Sequence, residues 1–198
     1  MKVHELLEDQ SSFYIVSEFI PGGEIYSVLL KEKRFSEKKC AKIVTQVLES
    51  LNYLHSKNIA HRDLKPDNLL ILDPEEYTVK LVDFGFAIEF DQAKGLKDQL
   101  GTPLFVAPEI LMEQSYGTAV DIWALGIITF MFLSGRIPFS KSDKNTLYQE
   151  ILNKEIGFTS SIWSMISDPA KDFIKQTLTK KKEDRPSAGK LLSHPWIT

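Results

Sequence analysis

The sequence predicts an α+β fold that is mainly helical, with one small strand element at its start and a second beside a charged loop. Three observations carry that expectation. Apolar positions Ile43, Val44, Val47, Leu48, Leu51 and Leu54 recur at helical spacing, the window Ile122 to Leu133 (IWALGIITFMFL) is almost wholly apolar, and Phe13 to Phe19 (FYIVSEF) is aromatic and β-branched. At 198 residues and 43% apolar content the chain can bury a sizeable core, as one large domain or a lobe of something bigger.

In chain order, the strand-like run Phe13 to Phe19 stops at the turn Pro21-Gly22-Gly23, and Glu24 to Lys33 reads as a short helix. Ser36 is placed as the N-cap of a long helix that reaches about Lys57 with one buried face. The charged octapeptide His61 to Asn68 (HRDLKPDN) follows. Leu69 to Leu72 and Val79 to Val82 then read as a small hairpin around Asp73-Pro74-Glu75-Glu76, presenting Asn68 and Asp83 on one side. From Asp83 to Gly101 no periodicity is visible, whereas Ala119 to Gly135 reads as a buried helix. Further helices are expected at Lys144 to Lys154, at Asp168 to Lys180 with Asp168-Pro169 as cap and first turn, and at Ser187 to Ser193.

Composition excludes several classes. Lys plus Arg is 24 against 27 for Asp plus Glu, a net charge of −3, which argues against nucleic-acid binding through a clustered basic face. A single cysteine, Cys40, cannot form an internal disulfide, which fits a reducing, cytoplasmic location. MKVHELLEDQ lacks the apolar stretch of a secretory leader, and the apolar window at 122 to 133 is shorter than the roughly 20 residues that span a bilayer, so no membrane span is expected. The histidines His4, His55, His61 and His194 show no metal-ligand spacing.

Eight residues that hold two carboxylates, a guanidinium, an ammonium and an amide make a poor core, since each charge is costly to desolvate. The octapeptide is followed in order by DFG at 83 to 85 and APE at 107 to 109, with DIWALG at 121 to 126 and DRP at 184 to 186. That set resembles the signature of the protein kinases over the whole chain. EFIPGGEIY at 18 to 26, VDFGFAI at 82 to 88, GTPLFVAPEIL at 101 to 111 and LLSHPWI at 191 to 197 are most similar to the calcium/calmodulin-dependent and calcium-dependent group.

The resemblance implies an ATP- and Mg²⁺-dependent Ser/Thr protein kinase, a transferase whose protein-kinase-like fold is here mainly the helical large lobe. Asp63 would take the proton of the substrate hydroxyl, Lys65 would stand beside the transferred phosphoryl group, and Asn68 with Asp83 would hold Mg²⁺, a hard ion that prefers oxygen. On that resemblance the charges cluster because a metal–nucleotide anion would neutralise them in use. Thr102 would bridge Asp63 and Lys65, and with Lys65 it points to Ser/Thr rather than Tyr acceptors. The backbone of Glu18 and Ile20 would meet the adenine, with Leu70 beneath the ring, Ser17 in the gatekeeper position and Glu24 near the ribose. Glu24 would also favour an arginine three positions before the acceptor. Asp121, Glu109 with Arg185, and His61 with Phe84 match scaffolding positions.

Two features depart from the family. No Ser, Thr or Tyr lies between Asp83 and Gly101, and Asp98 stands where many relatives carry a phosphorylated threonine, so Arg62 would pair with a fixed carboxylate. No G-x-G occurs anywhere, so residues 1–20 are expected to be residual small-lobe strands and hinge, entered at the strand KVHELLEDQ, and residues 21–198 the large lobe of one truncated kinase domain. On that expectation transfer by this chain alone is weak or absent. The alternative is a noncatalytic kinase-derived binding module or truncated gene product. Calcium sensing would need a region outside the chain, since no D-x-[DN]-x-[DN]-G loop is present.

Overall fold

The computed structural model describes residues 1–139 and 143–198. Its first element is an antiparallel hairpin, β1 (Val3–Glu8) and β2 (Phe13–Ser17), with Leu6 opposite Ile15 and Leu7 opposite Tyr14. Both faces of this hairpin are open: Phe13 is 71% exposed and Leu6 and Ile15 are 65%. The strand ends at Ser17, two residues before the end of the apolar run, because Phe19 has nothing to pack on and points into solvent.

The Pro21-Gly22-Gly23 turn crosses onto the next sheet. Gly22 N–H donates to Ile71 C=O and Ile71 N–H donates to Gly23 C=O, each at 2.9 Å. A Cβ on Gly22 would overlap that carbonyl, so only glycine allows the approach. Helix α1 (Ile25–Glu32) follows, then α2 (Glu37–Ser56), whose cap Ser36 accepts the Lys39 N–H as its spacing predicts. The predicted apolar positions of α2, Ile43 through Leu54, are all buried.

Past α2 comes the two-residue strand β3 (Ile59–Ala60), and then the hairpin β4 (Leu69–Asp73) and β5 (Thr78–Leu81). The register puts Leu69 opposite Leu81 and Ile71 opposite Val79, with a shift before Asp73. Strand β6 (Ile88–Glu89) pairs back to β3. The pairing of β3 with β6 involves only two residues on each side, too short for any alternation to show in the sequence.

Helices α3 (Pro108–Leu111), α4 (Ala119–Ser134), α5 (Lys144–Asn153), α6 (Asp168–Thr177) and α7 (Ala188–Leu191) complete the described chain. Helix α4 is the centre of the molecule. Every residue from Val120 to Ser134 is buried, which is why its sequence is apolar all round instead of striped. It ends where Gly135 turns left-handed at φ 67° against the Lys33 carbonyl.

Three boundaries differ from the sequence reading. The cap of α6 is Ser167, whose side chain accepts from Ala170 N–H, and Asp168-Pro169 form only the first turn. That helix ends at Thr177, with Leu178 as its C-cap, and α7 is confined to four residues behind its cap Ser187. Among the described residues no helix is long and apolar enough to cross a membrane.

Candidate active site

The loop from His61 to Asn68 is suspended over the N-terminal part of α4. Asp121, 1% exposed in the first turn of that helix, accepts the His61 N–H through Oδ2 and the Arg62 N–H through Oδ1, each at 2.9 Å, and Oδ2 also meets His55 Nε2 at 2.9 Å. A carboxylate this deep is tolerated because its lone pairs are filled by the backbone it holds. Its partner residue Arg62 is left-handed at φ 68°, a conformation that costs a non-glycine residue free energy and persists because the surroundings fix it.

From this anchored loop Asp63 projects into a compact polar cluster. Its Oδ1 accepts the Thr102 hydroxyl at 2.7 Å and the Thr102 N–H at 3.1 Å, while Oδ2 accepts Lys65 Nζ at 2.6 Å. Lys65 Nζ also donates to Thr102 Oγ1 at 3.4 Å. Asn68 closes the loop on itself, its Nδ2 donating to the Asp63 carbonyl at 2.8 Å. Asp63, Lys65, Asn68 and Thr102, four residues spread over 40 positions of sequence, therefore meet in one place.

Asn68 and Asp83 stand at the same end of the β4–β5 hairpin, because Val82 N–H donates to Asn68 C=O at 3.0 Å. Asp83 is exposed and left-handed at φ 60°, and its Oδ1 accepts Gly85 N–H at 3.2 Å. Among the described residues no cation pairs with Asp83, and Asn68 Oδ1 has no hydrogen-bond partner. Two unpaired oxygens at one edge are the donor type a hard cation takes, so the residues present fit a Mg²⁺ ion that would be held by one or two side chains and a ligand's own oxygens.

The positions assigned to nucleotide contact lie along the chain crossing from β2 to β4. Ser17 is half-buried and Ile20 is buried, whereas Glu24 is exposed, and Glu24 pairs with Leu70 in an isolated antiparallel bridge. The Ile20 N–H and the Glu18 C=O have no partner among the described residues, leaving one donor and one acceptor two residues apart. The Glu18 carboxylate is instead used structurally: Lys80 Nζ donates to it at 2.6 and 2.7 Å, and this hydrogen bond holds its pKa below the ordinary value.

Further from the loop, Glu109 and Arg185 form a bidentate pair at 2.7 and 3.1 Å with side chains 1% and 0% exposed, and Arg185 also donates to the Ala119 carbonyl. His61 and Phe84 stack edge to face with centroids 5.1 Å apart. Cys40 is fully buried, and burial pushes its thiol pKa well up, which makes it inert. Sequence reasoning missed Tyr116, whose hydroxyl reaches both Arg62 and the Asp98 backbone; no short motif marks a lone tyrosine in a turn.

The protein kinase domain family matches residues 1–197, nearly the entire chain. This chain belongs to the protein kinase family. It is 38% identical over 201 residues to a probable serine/threonine-protein kinase, fhkC, of Dictyostelium discoideum, and 38% identical over 200 residues to Serine/threonine-protein kinase H2 of Homo sapiens. It is 36% identical over 199 residues to Calcium/calmodulin-dependent protein kinase type 1 of Macrobrachium nipponense. All of this chain is covered in each comparison, but only 34%, 52% and 57% of those relatives, so it spans about a third to just over half of their length.

Proposed function

We propose that the chain supplies the catalytic lobe of a Ser/Thr protein kinase that transfers the γ-phosphoryl group of ATP to protein hydroxyls. The observation that carries this is the Asp63–Lys65–Thr102 cluster beside the two unpaired oxygens of Asn68 and Asp83. Asp63 takes the proton of the acceptor hydroxyl as that oxygen bonds to the γ-phosphorus. The bond from phosphorus to the ADP oxygen breaks, and ADP leaves with the electron pair. Lys65 balances charge on the moving phosphoryl group while Thr102 fixes the rotamer of Asp63. Asn68 and Asp83 would hold Mg²⁺, which when bound neutralises phosphate charge.

The Glu18 C=O and Ile20 N–H would read the adenine edge, with Leu70 under the ring and Glu24 toward the ribose and an arginine of the substrate. A small residue at Ser17 leaves room behind the adenine, so Ser17→Met is expected to abolish binding of bulky ATP-competitive ligands, and unchanged affinity would refute that placement. A cytoplasmic setting is supported by the lone buried Cys40, and the names of several relatives support calcium regulation through a region outside these residues.

The same geometry supports activity that is not gated by phosphorylation between residues 84 and 100, where no hydroxyl exists and Asp98 Oδ2 already pairs with Arg62 at 3.0 Å. The testing assay is phosphotransfer to Arg-containing Ser/Thr peptides by the full-length protein. Asp63→Asn is expected to lower kcat about 100- to 10,000-fold. An Asp63→Asn variant with undiminished kcat would sink the assignment.

A further inference from the structure

Residues 84–100 carry little regular structure, yet they are fastened at one point. Leu96 and Tyr116 exchange both backbone hydrogen bonds, at 2.8 and 2.9 Å, as an isolated antiparallel bridge. Two residues on, the Tyr116 hydroxyl donates to the Asp98 carbonyl at 2.8 Å and accepts from Arg62 Nη1 at 3.3 Å. The same Nη1 donates to Asp98 Oδ2 at 3.0 Å, and Arg62 Nε donates to Phe86 C=O at 2.6 Å. The Tyr116 residue is 3% exposed and the Arg62 side chain 7%, so water competes weakly for the bond between them, whereas the Asp98 carboxylate is 61% exposed.

Arg62 immediately precedes Asp63, and its left-handed backbone is held by Asp121, which accepts the Arg62 N–H and lies five residues after Tyr116. The tyrosine hydroxyl therefore sits in a closed circuit: Tyr116 to Arg62, Arg62 to Asp121, and Asp121 back to Tyr116 along the chain. Phe86, whose carbonyl Arg62 also binds, is three residues past Asp83. Burial pulls the guanidinium pKa down, but the hydrogen bonds to Tyr116 and Asp98 outweigh it and the net direction is up, as expected for a cation held by its partners.

We propose that Tyr116 is a positioning residue for the phosphotransfer site: its hydroxyl clasps the Asp98 peptide to the Arg62 guanidinium and so sets Asp63 and the segment after Asp83 in register without any modification of the loop. This rests on the kinase reading for its catalytic consequence and on geometry alone for the clasp. Asp98 supplies the charge, and Tyr116 supplies the direction, because its buried phenol is held between the Asp98 carbonyl and the Arg62 guanidinium while the bridge to Leu96 fixes its backbone.

The test uses the full-length protein, with Tyr116→Phe, Asp98→Asn, Asp98→Glu and, as a control that removes a different tether of the same loop, Ser115→Ala, which loses only the bond to the Lys94 carbonyl. Backbone amide hydrogen exchange over residues 94–100 and steady-state kcat and KM for ATP are measured on each. Tyr116→Phe and Asp98→Asn are expected to speed exchange and lower kcat about tenfold, the worth of one hydrogen bond to a charged partner, with KM for ATP within twofold. Asp98→Glu restores part of kcat, and Ser115→Ala leaves it within twofold. Unchanged exchange in Tyr116→Phe overturns the clasp, and faster exchange with unchanged kcat overturns the positioning role. If the unsubstituted protein transfers no phosphate, the kinase reading fails, and the exchange ratio decides the clasp by itself.

Discussion

Asp121 accepts two backbone N–H groups and meets His55, so replacing it with Ala leaves buried donors without partners. At about 1–3 kcal/mol for each buried unsatisfied donor, Asp121→Ala is expected to cost about 2–6 kcal/mol in urea unfolding. Asp83 makes the opposite case. It is exposed and bonds only Gly85 N–H among the described residues, so Asp83→Ala is expected to shift stability by about 0.5 kcal/mol or less while removing metal–nucleotide binding. The residues of this site were legible because HRDLKPDN and DFG are short, dense in charge and interrupt apolar runs. Tyr116 was not, because its partners come from two segments distant in sequence, Arg62 on one side and Leu96 with Asp98 on the other, and its own neighbours look like any turn.

At the scale of elements, the acid response of the β1–β2 hairpin follows from two carboxylates, Asp9 in its turn and Glu18 just past β2, which ties it to β5 through Lys80. Asp9 is held from the ordinary 3.8 down to about 2 by the Ser11 N–H first and the Tyr14 hydroxyl second, and Glu18 is held below its ordinary value by Lys80. A carboxyl with a depressed folded pKa adds stability above its unfolded pKa and loses it as pH falls through the folded one. The hairpin is therefore expected to weaken from about pH 4 down to about 2, with the Asp9 carboxyl carbon titrating near 2 by NMR; a midpoint at the ordinary value would contradict the bonds in the turn. The periodic elements were read correctly: α2 shows a stripe, α4 shows none because it is buried all round, and the β4–β5 hairpin brackets its turn. Helix α3 and the pair β3–β6 were invisible because four and two residues hold too little pattern, and the α6 cap moved to Ser167 because a serine directly before Asp-Pro can bond the Ala170 N–H.

Across the whole molecule, Arg185 ties the 180–185 turn to α3 through Glu109 and to the start of α4 through Ala119. Removing one partner of a buried pair leaves an uncompensated charge, so Glu109→Ala is expected to cost about 3–5 kcal/mol and to unfold the lobe as one unit in thermal melts. A loss below about 1 kcal/mol would mean that the pair is dispensable for the packing. The helical core holds the loop from His61 to Asn68 in place over α4, and the proposed chemistry rests on that loop. The decisive measurement is calorimetric titration of Mg²⁺-ATP into the protein with Asp83→Ala alongside. Binding that requires Mg²⁺ and disappears in Asp83→Ala is the expected result. Nucleotide binding of equal strength in both proteins would contradict the assignment of Asn68 and Asp83 to the metal and, with it, the placement of the phosphotransfer site.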